Sequence, residues 1–146
     1  MKIVTLTTLE ELSALAQDTL TSLSKKNGAT VLALHGDLGV GKTAFTKEVA
    51  RLLGISGEIT SPTFVIMKSY SIPAHFIFKT LVHIDAYRIE EDDEMRVLGF
   101  ESLLAHAENL IVIEWSERIK TLIPEDAYQL HFTLTGNTRT ITTYGI

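Results

Sequence analysis

The sequence predicts an α/β fold: a mixed sheet with a parallel core, antiparallel hairpins at its flanks, and helices on both faces in a three-layer sandwich. Three features carry this. A short apolar run, Thr30 to His35, leads through a glycine-rich turn into a helical pattern, the strand–loop–helix order of a parallel unit. Two further apolar runs end in an acid, Leu81-Val82-His83-Ile84-Asp85 and Leu110-Ile111-Val112-Ile113-Glu114. Two pairs of β-rich stretches read as hairpins, 64–72 with 77–85 around Pro73-Ala74-His75, and 127–135 with 139–144 around Gly136-Asn137.

The helices follow from capping and periodicity. Thr8-Leu9-Glu10-Glu11 fits a capping box, and Leu12, Leu15, Ala16, Leu20 and Leu23 form an apolar stripe behind it. This first helix is expected to end near Asn27-Gly28. Lys42 to Leu53 carries Phe45, Val49, Leu52 and Leu53 at helical spacing, with Lys47, Glu48 and Arg51 on other faces and Gly54 as the stop. Residues 58–63 read as a loop. Glu91 to Phe100 and Glu101 to Ala107 suggest two short helices. The acidic run Glu90-Glu91-Asp92-Asp93-Glu94 could bind a cation or a basic partner, but it suits the solvated start of the first of them, where carboxylates complement the helix dipole.

Composition bounds the function. A chain of 146 residues is expected to form one domain large enough for a real core. Hydrophobic and charged contents of 45% and 21% are ordinary for a soluble protein, and no apolar run approaches the roughly 18–20 residues of a membrane helix. The first residues lack the basic stretch and long apolar segment of a secretory signal. The absence of cysteine excludes disulfides and thiolate metal sites and suits the cytoplasm. The five histidines show no close metal-ligand spacing. A net charge of −5, with no basic cluster longer than Lys25-Lys26, disfavours direct binding to RNA or DNA.

The chemistry is concentrated in Gly36-Asp37-Leu38-Gly39-Val40-Gly41-Lys42-Thr43, a phosphate-binding loop of the form G-x-x-x-x-G-K-[ST]. Gly36 and Gly41 allow the backbone to turn and approach phosphates closely. The loop N–H groups and the following helix N-terminus offer partial positive charge to an anion. Lys42 is placed for the β- and γ-phosphates and the Thr43 hydroxyl for Mg²⁺. A P-loop NTPase-type fold is therefore expected.

Such a loop needs a carboxylate near the metal, and Asp85 and Glu114 both end strands where ligands of open α/β sheets collect. Either acid could instead cap the next helix or pair with Arg88 or Arg118. Thr63, in Ser61-Pro62-Thr63, lies where such proteins sense the γ-phosphate, although a plain Ser-Pro turn fits as well. Trp115 is placed for contact with base or ribose, or for the core or a partner face. The Asn-Lys-x-Asp signature of guanine recognition is absent, which favours ATP.

Four motifs occur in order: the phosphate loop, Ser61-Pro62-Thr63-Phe64, His83-Ile84-Asp85-Ala86-Tyr87-Arg88, and Ile113-Glu114-Trp115-Ser116-Glu117. In a chain this short, the set resembles the bacterial TsaE (YjeE-like) family, from the first helix to about Arg118 and weakly beyond Pro124. That family is the small ATPase of tRNA threonylcarbamoyladenosine biosynthesis. The resemblance implies an ATPase acting with the TsaD–TsaB pair, which would hold the tRNA, so that this chain meets tRNA only indirectly. It also implies that Lys42 and Thr43 serve the phosphates and Mg²⁺, that Asp85 is the Walker B acid, and that Glu114 is a further Mg²⁺ ligand. Thr63 would be a switch residue and Trp115 a nucleotide-site residue. The chain departs from the family pattern in a longer connection from Tyr70 to His83 and in the small Ala86.

Two other functions share the phosphate loop. A small-molecule kinase would need an acceptor pocket and an arginine-bearing lid, for which little chain remains after the core is assigned. A nucleotide-dependent assembly module would hydrolyse ATP only incidentally.

Overall fold

The computed structural model describes residues 1–57, 59, 65–73 and 76–145. In chain order the elements are β1 (Lys2–Leu6), α1 (Leu9–Ser22), β2 (Thr30–His35), α2 (Lys42–Leu52), β3 (Met67–Ser71), β4 (Thr80–Asp85), α3 (Asp92–Val97), α4 (Phe100–Leu104), β5 (Asn109–Glu114), a 3₁₀ segment (Ser116–Leu122), β6 (Tyr128–Thr135) and β7 (Thr138–Tyr144).

The strands form one sheet of seven in the order β1-β7-β6-β2-β5-β4-β3. β6, β2, β5 and β4 run parallel, and they are the strands that feed the site. β3 closes one flank antiparallel to β4, while β7 and β1 close the other as an antiparallel pair of additions. Both expected hairpins, β3–β4 and β6–β7, are present.

Alternation along the central strands sorts side chains into two cores. Leu32, Leu34, Leu81, Leu110 and Val112 face α1 and α2, where they meet Leu12, Leu15, Phe45 and Val49. Val31, Val82, Ile84, Ile111 and Ile113 face the opposite side, under Met95 of α3, Phe100 of α4 and Ile119 of the 3₁₀ segment. Helical turns thus cover both faces, as expected for an α/β sandwich. β2 and β5 are near-continuous apolar runs because both of their faces are buried.

The first helix begins where its capping box places it: the Thr8 hydroxyl accepts from the Glu11 N–H at 3.2 Å. The Glu11 carboxylate returns to the Thr7 N–H and both threonine hydroxyls. Its end differs from expectation. α1 stops at Ser22 rather than near Asn27-Gly28, because the Leu23 N–H bonds to the Leu20 carbonyl and Leu23 itself is extended. Beyond Leu23 no apolar residue continues the stripe, and Lys26 is drawn to the Asp126 carbonyl at 2.7 Å. The acidic run does start a helix, with Asp92, Asp93 and Glu94 in the first turn of α3. Glu58, Thr60 to Phe64, Ala74 and His75 lie outside the described residues, so the loop reading of 58–63 falls mostly outside them.

Candidate functional site

The same alternation that builds the core builds the site. His83 and Asp85 continue the parity of Leu81, and Glu114 continues that of Leu110 and Val112. All three therefore project from the α2 face, at the carboxyl ends of the parallel strands. Asp85 is paired with Glu114 in register across β4 and β5, and Glu114 with Leu34 across β5 and β2. The loop leaves β2 one residue after Leu34 and enters α2 at Lys42. Two acids thus stand beside the first turn of the helix that the loop feeds.

Thr43 and Glu114 meet directly: the Thr43 hydroxyl donates to Glu114 Oε1 at 2.7 Å. The other oxygen, Oε2, lies 2.5 Å from His83 Nε2, and His83 is fully buried. A carboxylate oxygen accepts, so the His83 proton belongs on Nε2. Its Nδ1 has no partner among the described residues. Asp85 is buried and its Oδ1 accepts from the Tyr87 N–H at 3.0 Å, an Asx turn that fixes the carboxylate at the end of β4.

Lys42 is the cation of the loop. It is buried, donates to the Gly36 carbonyl, and holds its ammonium 3.7 Å from the centroid of the Trp115 ring. Burial pushes its pKa below the ordinary lysine range, opposed by the carboxylates of Glu117, Glu114, Asp85 and Asp37. Trp115 takes a left-handed backbone conformation (φ 56°), which turns the chain from β5 into the 3₁₀ segment. Tyr87 packs on the Trp115 ring with centroids 5.0 Å apart, and Arg118 lies over Tyr87.

Gly36 and Gly41 give the loop its path. Gly36 adopts φ +144°, and a Cβ there would stand 2.6 Å from the Phe132 carbonyl oxygen. Its N–H donates to Glu117 at 3.3 Å. Gly41, at φ +108°, caps α2 in a conformation that side-chain-bearing residues rarely adopt.

Around these groups lies a cavity of about 310 Å³ whose walls include Lys42, Thr43, Asp85, Glu114 and Trp115. Leu38, Gly39 and Gly41 complete the loop side, with Leu38 at the exposed tip. Among the described residues no group of three or more histidine, cysteine or acidic side chains could hold a metal by itself. One hydroxyl and two carboxylates fit Mg²⁺ held partly by substrate phosphates, the usual arrangement in phosphate-loop sites. Thr63 lies outside the described residues.

Several residues of the site escaped the sequence reading. His83 could have been found, because it stands two residues before Asp85 on a strand and so on the same face. Glu117 follows Glu114 by one 3₁₀ turn, and nothing local marks it as a partner of Gly36. Arg139 lies against Gly41 although almost a hundred residues separate them in the chain.

A glycine-rich loop between a parallel strand and a helix, with acids at the ends of the next two parallel strands on one side, defines a P-loop NTPase-type fold. A family model described as "Threonylcarbamoyl adenosine biosynthesis protein TsaE" matches residues 6–141. The tRNA threonylcarbamoyladenosine biosynthesis protein TsaE of Rickettsia bellii is 41% identical over 105 residues, covering 71% of this chain and 69% of that protein. Its namesake in Bacillus subtilis is 40% identical over 124 residues, covering 83% and 70%. The crystal structure of Bacillus subtilis YdiB superposes with a TM-score of 0.75 at 29% identity, covering 97% of this chain and 83% of that one. The chain belongs to the TsaE family, which is involved in tRNA threonylcarbamoyladenosine biosynthesis. The match extends to residue 141, inside the terminal hairpin and beyond the point where the motifs alone carry the resemblance.

Proposed function

We propose that this chain is a Mg²⁺-dependent ATP-binding and ATP-hydrolysing protein that serves threonylcarbamoyladenosine modification of tRNA together with the TsaD–TsaB pair. The observation that carries the reading is the convergence of Lys42, Thr43, Asp85 and Glu114 on one cavity at the carboxyl ends of the parallel strands. Lys42 supplies the loop's cation, and the N–H groups at the start of α2 point toward the phosphates. Thr43, Glu114 and Asp85 are the residues that would hold Mg²⁺, which would supply compensation of the phosphate charge there. Glu114 is oriented by His83 on one oxygen, leaving the other toward Thr43 and the cavity. Trp115 and Tyr87 wall the cavity and limit the access of water. Thr63 is the proposed switch residue.

Hydrolysis needs a positioned water and compensation of charge on the transferring phosphoryl group. Turnover by the isolated chain is therefore slow, and partners that order the loop surroundings raise it. The net charge of −5 leaves tRNA contact to those partners. The test is to measure ATPase activity of the chain alone, then with TsaD and TsaB, then with tRNA, at fixed moderate salt. Stimulation by the pair and nucleotide-dependent association are expected. Full-rate hydrolysis alone, or no nucleotide-dependent association, overturns the reading. Lys42→Ala should weaken ATP binding roughly ten- to hundredfold, the worth of one charge-assisted contact.

A further inference from the structure

Trp115 is held in a backbone conformation that its own side chain disfavours. Its φ of 56° lies in the left-handed region, which a bulky residue keeps only where its surroundings impose it. The ring is half-buried, with the Lys42 ammonium 3.7 Å from its centroid and the Tyr87 ring 5.0 Å away. Those contacts restrain the ring, whereas the turn itself is fixed by the residues on either side. Before it stands Glu114, tied to Thr43 and His83. After it stands Ser116, which has no part in the reading above.

Ser116 is fully buried at the start of the 3₁₀ segment, and its hydroxyl reaches across to β2 instead of capping that segment. It donates to the Leu34 carbonyl at 2.9 Å, over a sequence separation of 82 residues. With that proton committed, the 3.2 Å contact with His35 runs the other way: Nε2 carries the hydrogen and the Ser116 oxygen accepts. His35 Nε2 also meets Gln129 Oε1 at 2.5 Å, an acceptor, as this assignment requires. The next residue continues the grip, since Glu117 accepts from the Gly36 N–H at 3.3 Å. Two successive residues after Trp115 thus hold three successive residues where β2 gives way to the phosphate loop. The turn is anchored on α2 and β4 by Glu114 and on β2 by Ser116. A polar group is buried at a cost unless it is hydrogen-bonded, so a small apolar residue would serve plain packing better here.

We propose that Ser116 is a positioning residue of the nucleotide site, whose hydroxyl pins the chain after Trp115 to the end of β2 and so holds the Trp115 ring against Lys42 at the cavity wall. The effect on nucleotide rests on the ATP reading above; the effect on Trp115 does not. One neutral hydrogen bond can bias the turn by no more than its own net worth, about two- to tenfold in an equilibrium.

Trp115 is the only tryptophan, so its emission reports the ring directly in the full chain. Emission and acrylamide quenching without nucleotide, affinity for Mg²⁺ADP and Mg²⁺ATP, and melting temperature are measured for the parent, Ser116→Ala, Ser116→Thr and Gln129→Met. Ser116→Ala should shift the emission to the red, quench faster, and weaken both nucleotides by about two- to tenfold. Ser116→Thr, which keeps the hydroxyl, should restore emission and affinity to near the parent values. Gln129→Met removes the other acceptor of His35 but leaves the Ser116 bond, and should keep the parent emission. Parent-like emission in Ser116→Ala overturns the proposal, as does a shifted emission with unchanged nucleotide affinity. An equal shift in the Ala and Thr variants, or in Gln129→Met, marks general loosening of the packing and overturns it too. Should Ser116→Ala fail to fold, Ser116→Cys, of similar size with a weaker donor, takes its place under the same criteria. Absence of nucleotide binding by the parent removes the ATP reading, while the emission still decides whether Ser116 holds Trp115.

Discussion

Thr43 and Glu114 are joined by a 2.7 Å hydrogen bond that ties the first turn of α2 to the end of β5. Because β5 lies between β2 and β4, Glu114 has the loop strand on one side and Asp85 on the other. One central carboxylate thus connects the loop helix, the second acid and the buried His83.

Glu114→Gln keeps the side-chain shape and removes its charge. Affinity for ATP measured in EDTA should change little, while the gain on adding Mg²⁺ should shrink roughly ten- to hundredfold. Parallel titrations with EDTA and with Mg²⁺ read the difference directly. An intact Mg²⁺ gain in both Glu114→Gln and Asp85→Asn would place the metal elsewhere.

Gly36→Ala and Gly39→Ala both put a side chain on a positive-φ residue, yet their surroundings differ. At Gly36 the new Cβ meets the Phe132 carbonyl at 2.6 Å, whereas at Gly39 nothing lies within 4 Å. Gly39→Ala should cost about 1–2 kcal/mol for the left-handed conformation alone. Gly36→Ala should cost more and should also lower nucleotide affinity, because only a shift of β6 or of the loop relieves the contact. Urea midpoints of the two variants provide the comparison.

Phe45→Ala tests the link between loop helix and sheet. Phe45 is fully buried and meets Phe132 edge-on, with centroids 5.8 Å apart. Truncation should cost about 3–5 kcal/mol, which in a domain of this size lowers Tm by roughly 6–20 °C. Calorimetric melting checks it.

The pH dependence follows from His131. Partial desolvation of this surface ring, and then the neighbouring His35, hold its pKa below the ordinary histidine value of 6.5, with Glu117 partly opposing them. The unfolded chain therefore binds a proton at a pH where the folded one does not. Its contribution is fully present above pH 6.5 and is lost as pH falls through the lowered folded pKa. His131→Asn should flatten this acid loss in urea midpoints recorded from pH 7.5 down to 5, although it also removes the ring stacked 4.1 Å from His35. An unchanged pH profile in the variant would assign the loss to other groups.

The legible parts of this molecule were those written in local pattern. The phosphate loop is contiguous, and Asp85 and Glu114 announce themselves as acids closing apolar strands. The hairpins were marked by their turns. β1 was not seen, because Lys2–Leu6 is an edge strand with only Leu6 buried and so lacks alternation. The 3₁₀ segment carries no local marker, because the left-handed Trp115, not a glycine or proline, starts it. Arg139 was invisible for a different reason: its meaning depends on register. Pairing with Leu134 and Leu6 sets it at the level of Gly41, and no local pattern near residue 139 reports what lies across the sheet.

The position of β6 and β7 also bears on when the site matures. The loop, its helix and both acids are present once residue 114 has been made, but the Phe132 carbonyl against Gly36 and the Arg139 side chain against Gly41 come later. Their strands must also close onto β2 and β1, contacts that span about a hundred residues or more. Long-range pairings of this kind form slowly, since chain closure precedes their reward. A chain halted before residue 128 would carry the whole phosphate signature and lack both of the contacts that hold the loop from the far side of the sheet.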